Sequence, residues 1–253
     1  MAQYKEPMID KIRAMAKRLL KPSAVGRFIY PILQRVWRAY VIPMRIRRLH
    51  RKGYAVLKEM HGILTANNIP YYCDCGTLIG FLRDGGFIAH DDDIDIGIMP
   101  ETVTPQRVAK AFLDEGWGFV HGFTYEERVI EFTVKHPCGV TVDVFLHKYC
   151  EDDKRFLHEI FLRWYPDRKY PNERANTALK YRLRGPDGLT TMKVHGVEVS
   201  IPTNAREVLD SEYGPWEHPD PSFKSEMIPH EELSDFAMRI DKDELMERKY
   251  ANS

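Results

Sequence analysis

The period of the apolar positions changes along the chain, and those changes predict its elements. Residues 8–20 read as a short basic helix broken at Pro22-Ser23. Over 26–41, Ile29, Leu33, Val36 and Tyr40 recur at helical spacing, with Arg35 and Arg38 off the stripe and Trp37 adding an aromatic. Pro43 is expected to open a further helix carrying Leu49, Val56, Leu57, Met60 and Leu64, which frays at Asn67-Asn68. Pro70 starts an extended run through Cys75. Gly76-Thr77 turns it, and Leu78 to Leu82 predicts a short helix stopped by Gly85-Gly86.

From Asp93 to Met99 the period drops to two. Ile94, Ile96 and Ile98 take one face and Asp93, Asp95 and Gly97 the other, the pattern of a half-buried strand. A helix follows over 104–115. Strands over 128–135 and 140–146 surround a turn at Pro137-Cys138-Gly139, and in the second Val140, Val142 and Val144 alternate with Thr141, Asp143 and Phe145. Beyond 150 the chain reads as mainly helical with irregular joints, apart from one short strand over 194–201, and ends in a charged tail after 231.

With 253 residues, 43% of them hydrophobic and 29% charged, the chain can bury the core of one generous domain. No apolar run approaches the roughly 20 residues that span a bilayer. The N-terminus lacks the pattern of a secretory signal, so a cytoplasmic protein is expected. Cys73, Cys75, Cys138 and Cys150 fit no paired C-x-x-C zinc spacing and are expected as reduced thiols. The zero net charge hides an asymmetry, since residues 1–53 hold 14 Lys or Arg and only the acids Glu6 and Asp10. A basic arm on an acidic body suits an anionic partner such as a membrane surface or nucleic acid. The stripe over 26–41 reads equally as a helix lying on an anionic membrane or as one packed on the body.

The candidate chemistry sits in His90-Asp91-Asp92-Asp93-Ile94-Asp95. On extended backbone, Asp91, Asp93 and Asp95 project from one face. Crowded carboxylates repel, and a hard divalent cation such as magnesium relieves that repulsion. Asp143 lies on the polar face of a later strand and completes a three-carboxylate cluster if the two strands are neighbours. An EF-hand reading fails, because the turn glycine is replaced by Ile96 and the twelfth position is Thr102. Gly76 and Thr77 stand where backbone N–H groups and a hydroxyl can grip phosphate oxygens. Arg83 is a candidate phosphate contact or a surface ion pair.

The string Cys75-Gly-Thr-Leu-Ile-Gly-Phe-Leu-Arg83, followed by Gly86-Phe-Ile-Ala-His-Asp-Asp-Asp-Ile-Asp95, resembles the LicD family. That family includes bacterial phosphocholine transferases and fukutin-type ribitol-phosphate transferases. Val142-Asp143-Val144-Phe145 is similar to its second acidic motif, and Pro202 through Tyr213-Gly214-Pro215-Trp216 to its C-terminal elements. The resemblance runs from Arg51 to Pro219. Family members commonly carry Pro-Trp where this chain has Ala89-His90, so His90 is read as a substrate contact or a packing residue.

The resemblance implies an α+β fold: a nucleotidyltransferase-like mixed β-sheet flanked by helices, with a basic helical segment over 1–43 preceding the catalytic domain at 44–253. It further implies transfer of a phospho-alcohol from a CDP-activated donor to a sugar hydroxyl of a glycan or lipid-linked oligosaccharide, with release of CMP. Phosphocholine is the leading expectation, with ribitol- or glycerol-phosphate as alternatives. One or two magnesium ions, or manganese, would sit on Asp91, Asp93, Asp95 and Asp143, and Asp143 is either the general base or a further ligand. Lys180 and Arg182, with Arg184, would bind donor phosphates or form a solvated basic face. Tyr213 and Trp216 would stack on cytosine or sugar, or pack in the core. Residues 1–43 are expected to contact the inner face of the membrane, with no nucleic-acid partner. A nucleotidyltransferase using the same carboxylates and a non-enzymatic binding module are the competing readings.

Overall fold

The computed structural model describes residues 24–163, 169–220, 222–223 and 227–248, so the helix expected over 8–20 lies outside the described residues. The first helix, α1, runs from Ala24 to Ala66 without the break expected at Pro43. Its buried face continues in phase across that proline, through Val41, Leu49, Val56, Leu57, Met60 and Leu64. Burial on both sides of Pro43 holds the helix through the backbone N–H that this proline lacks.

Strand β1 (Tyr71–Cys73) leads into the single turn α2 (Cys75–Ile79) and a π-helical turn over Gly80–Asp84, closed by Gly85 at φ 70°. Strand β2 is Ile94–Ile98, and helix α3 is Pro105–Asp114. Thr104 caps α3 by accepting a hydrogen bond from the Arg107 N–H, with proline at the first helical position. Then come β3 (Gly118–Tyr125), β4 (Arg128–Lys135), β5 (Thr141–Leu146), β6 (Lys148–Tyr149), β7 (Phe156–Arg163) and β8 (Ala175–Arg184). The hairpin β9 (Leu189–Val194) and β10 (Val197–Pro202), helix α4 (Ala205–Tyr213), strand β11 (His230–Ile240) and helix α5 (Lys242–Glu247) complete the chain.

Nine strands form one mixed sheet in the order β1-β2-β5-β4-β3-β11-β8-β7-β6. Strand β2 runs parallel to β5, while β4 is antiparallel to β5 and β1 antiparallel to β2. The fold is therefore α+β, a mixed sheet flanked by helices. Its main core joins Ile94, Ile96 and Ile98 of β2 and Val142 and Val144 of β5 to Leu57 and Leu64 of α1 and Val108 and Phe112 of α3.

Two expectations are corrected. The region after 150 is mainly strand, and the charged segment after 231 is strand β11, paired on both sides by β3 and β8. In β8 the buried Ala178 and the buried Leu179, Tyr181 and Leu183 belong to separate apolar clusters, so both faces are covered and the alternation that betrays a strand is erased. The first half of β11 is exposed and polar, which disguises a strand of the sheet as a tail. The strand expected over 194–201 is one arm of a hairpin, turned by His195 at φ 47° and Gly196 at φ 79°.

Candidate active site

Parallel pairing of β2 with β5 sets Asp95 directly beside Asp143. Antiparallel pairing of β4 with β5 sets Thr133 on the other side of Asp143, and Glu131 opposite Phe145. Paired residues share a face, so Asp95, Asp143, Thr133 and Glu131 all point away from the aliphatic core. The backbone of Asp95 is held from the α2 side. Its N–H donates to Thr77 Oγ1 at 2.9 Å, and its carbonyl accepts from the Asp74 N–H at 3.1 Å. Gly97 continues this face, and a Cβ there would stand 2.3 Å from the Tyr72 ring, so only glycine admits the tyrosine.

Carboxylates now crowd one place. Burial, reinforced by Asp143 and Asp92, pushes Asp93 up to about 8. Burial and the charges of Asp93 and Asp143 raise Asp95 well above the ordinary range. Glu131 is pushed up to about 8 by burial, then by Asp143 and Asp93. Asp143 is raised by burial, although the Thr133 hydroxyl donates to its Oδ1 at 2.6 Å and pulls the other way. The cluster therefore demands positive charge or protons.

One cation answers from α1. Arg45 Nε lies 2.9 Å from Asp92 Oδ2, and its Nη2 lies 3.2 Å from Asp93 Oδ2 and 3.0 Å from Thr141 Oγ1. At the far side of Thr133, His121 Nε2 lies 3.5 Å from the hydroxyl, and burial lowers this imidazole to about 4. It is neutral at ordinary pH.

These carboxylates offer the oxygen donors that a hard divalent cation takes. Asp91 Oδ2 is buried without a hydrogen-bond partner, and a Cβ on Gly76 would stand 3.0 Å from it and 3.5 Å from Asp95 Oδ2. Gly76 thus borders the carboxylate oxygens and leaves them space. The donors are all oxygen, as magnesium prefers. Among the described residues, one group brings its ligand atoms together at metal-binding spacing. Ligand atoms of Asp74, Cys75 and Glu212, all buried, lie within 4.8 Å of one another and can hold a metal ion, and the thiol suits a softer one. That trio is also tied into the protein, with His147 Nε2 3.0 Å from Asp74 Oδ2 and Glu212, pushed up to about 8 by burial, hydrogen-bonded to Tyr213 and Cys75.

The remaining expected site residues are dispersed. Thr77 is fully buried and pins β2 through Asp95. Arg83 spans Asp84 and the Trp216 carbonyl, which is the ion-pair reading. His90 is exposed beside Asp91, not packed. Lys180 and Arg182 lie on β8, five strands from β2 in the sheet order, and Arg182 is engaged by Asp152 and the Phe156 ring. Trp216 is buried with its Nε1 donating to Asp210, and Tyr213 packs against Phe223, so both follow the core reading. The four cysteines are free thiols. Sequence reasoning missed Arg45, Glu131, Thr133 and His121. For Glu131 a signal existed, an acid inside an otherwise apolar strand run.

A mixed sheet presenting carboxylates from adjacent parallel strands, with a Gly-Thr turn beneath them, defines a nucleotidyltransferase-like domain. The family model described as LicD/FKTN/FKRP, nucleotidyltransferase domain, matches residues 68–204, more than half of the chain, and the chain belongs to that family. An uncharacterized protein of Rickettsia typhi is 36% identical over 152 residues, covering 56% of this chain and 45% of its own. A counterpart from Rickettsia prowazekii is 30% identical over 167 residues, covering 65% and 54%. Ribitol-5-phosphate transferase FKTN of Mus musculus is 23% identical over 177 residues, covering 70% and 34%. The chain thus spans about half the length, or less, of these curated relatives. The lincomycin-bound crystal structure of the lincosamide antibiotic adenylyltransferase LnuA is similar at 14% identity and a TM-score of 0.35, over 58% of this chain and 78% of that one. Among the described residues, no helix is long and apolar enough to cross a membrane.

Proposed function

We propose that the chain transfers a phospho-alcohol from a CDP-activated donor to a sugar hydroxyl of a cell-surface glycan or its lipid-linked precursor, releasing CMP. The observation that carries this reading is the register of Asp95 beside Asp143 on parallel strands, with Asp93 and the unpartnered Asp91 oxygen alongside. Asp93, Asp95 and Asp143 would hold magnesium, with Asp91 completing or orienting the set. Bound there, the ion supplies charge to offset the donor pyrophosphate and the departing CMP. Thr133 orients the Asp143 carboxylate. Thr77 and the Asp74 N–H fix the Asp95 backbone, so the oxygens are pre-set before the donor arrives.

The full chain is incubated with magnesium, a glycan acceptor and CDP-choline, CDP-ribitol or CDP-glycerol in turn, and CMP is measured. Release of CMP dependent on acceptor and magnesium supports the reading, with CDP-choline expected to be the best donor. Pyrophosphate release from nucleoside triphosphates, with CDP-alcohols inert, replaces it with nucleotidyl transfer.

The acceptor reading is joined by a membrane reading of α1, with the protein cytoplasmic and peripheral. From Ala24 to Lys58 the helix has nine Lys or Arg and no acid. Tyr40, Met44, Arg47 and Arg51 fall on one exposed line at helical spacing, with Tyr40 75% exposed. A cationic stripe bearing an aromatic and a methionine suits an anionic bilayer surface.

A further inference from the structure

Within the reaction proposed above, the geometry points to Glu131 as the general base that takes the proton of the acceptor hydroxyl, leaving Asp143 to the cation. The group that removes this proton must stand on the carboxylate face, be free of cations, and be able to hold a proton at ordinary pH. Asp93 meets Arg45, and Asp143 stands in register with Asp95 with one oxygen already engaged by Thr133. Glu131 differs. It faces the same side from β4, two residues from Thr133, and its side chain makes no hydrogen bond or ion pair among the described residues.

Glu131 is also diagonal to Asp143, since Glu131 pairs with Phe145 and Thr133 with Asp143. Diagonal neighbours on antiparallel strands stand about 7–8 Å apart at the backbone, within reach of long side chains, so both carboxylates can approach one acceptor hydroxyl. The charged groups around it are Asp143 on β5 and Asp93 before β2. Beyond Thr133 lies the neutral His121 of β3, with Arg45 of α1 and Arg239 of β11 near it. Burial raises its basicity, which is the direction a base needs. A carboxylate bound to a cation is shifted the opposite way.

In the step itself, the acceptor O–H proton passes to the Glu131 carboxylate as the acceptor oxygen bonds to the phosphorus bearing the alcohol. The bond from that phosphorus to the CMP oxygen breaks, its electron pair leaves with CMP, and Glu131 later returns its proton to water.

Glu131→Gln and Glu131→Asp are made in the full chain. Glu131→Gln is expected to lower kcat by about 10²–10⁴-fold, with KM for the CDP-donor moving by less than about twofold. Its affinity for manganese, read by electron paramagnetic resonance, stays within about twofold of wild type, and the acid-side fall of its residual rate disappears. Glu131→Asp keeps a displaced carboxylate and is expected to fall between the two. A Glu131→Gln rate within a few-fold of an active wild type overturns the assignment, as does a loss of rate matched by loss of manganese affinity. If the wild type releases no CMP from any CDP-donor, the reaction reading fails and takes this role with it.

Discussion

Thr133 donates its hydroxyl hydrogen to Asp143 Oδ1 at 2.6 Å, from the residue directly opposite on the antiparallel neighbour. A hydrogen bond to a charged group contributes about 1.5–3 kcal/mol, so this contact sets how readily Asp143 stays ionised and aimed. Thr133→Val keeps the buried shape and removes the donor. Turnover is expected to fall by about tenfold or more, with the magnesium needed for half-maximal rate rising in step. A magnesium titration of CMP release checks both, and an unchanged half-saturation point contradicts this role.

Asp93→Asn and Asp95→Asn are expected to abolish CMP release without lowering thermal stability in metal-free buffer. Each removes a negative charge from a cluster in which burial and like charges already favour the neutral form. The same variants should lose any rise in Tm that magnesium gives the wild type. Near-normal turnover in either variant removes the carboxylates from the chemistry.

The pH dependence of stability follows from the raised acids. Asp93, Glu131 and Glu212 each sit near 8 in the fold, above ordinary values of 3.8 for aspartate and 4.5 for glutamate. Between those limits the folded chain binds more protons than the unfolded one, so stability falls as pH rises. The contribution is fully present below the ordinary carboxylate range and is lost as pH climbs through about 8. In EDTA, Tm is expected to drop from pH 5 to 8, and magnesium should shrink that drop by replacing the protons. A metal-free Tm that stays level or rises over this interval counts against the cluster.

The outward stripe of α1 is tested with Arg47→Glu and Arg51→Glu together in the full chain. Both side chains are exposed, whereas Arg45 and Arg48 turn inward to Asp92 and the Gly139 carbonyl. Sedimentation with vesicles containing phosphatidylglycerol is expected to fall by about tenfold or more, since each basic residue near an anionic surface contributes about 1 kcal/mol. Release of CMP with a soluble acceptor should be unchanged. Equal sedimentation of variant and wild type, or of wild type with neutral vesicles, sinks the membrane reading.

The sequence by itself determined the parts whose signal is local. Alternation in Asp93–Met99 and Val140–Leu146 marked two strands and put Asp93, Asp95 and Asp143 on polar faces, because side chains on extended backbone point to opposite sides in turn. The Gly-Thr and acidic strings carried the family. Tertiary structure alone decided that β5 lies parallel to β2 with Asp143 level with Asp95, and that Thr133, Glu131 and Arg45 join them from β4 and α1. It also decided that a polar segment, His230–Ile240, is a strand between β3 and β8. The reason is physical. Register is set by hydrogen bonds between distant segments, and a one-residue slip would turn Asp143 into the aliphatic core, a choice that no local period of residues encodes.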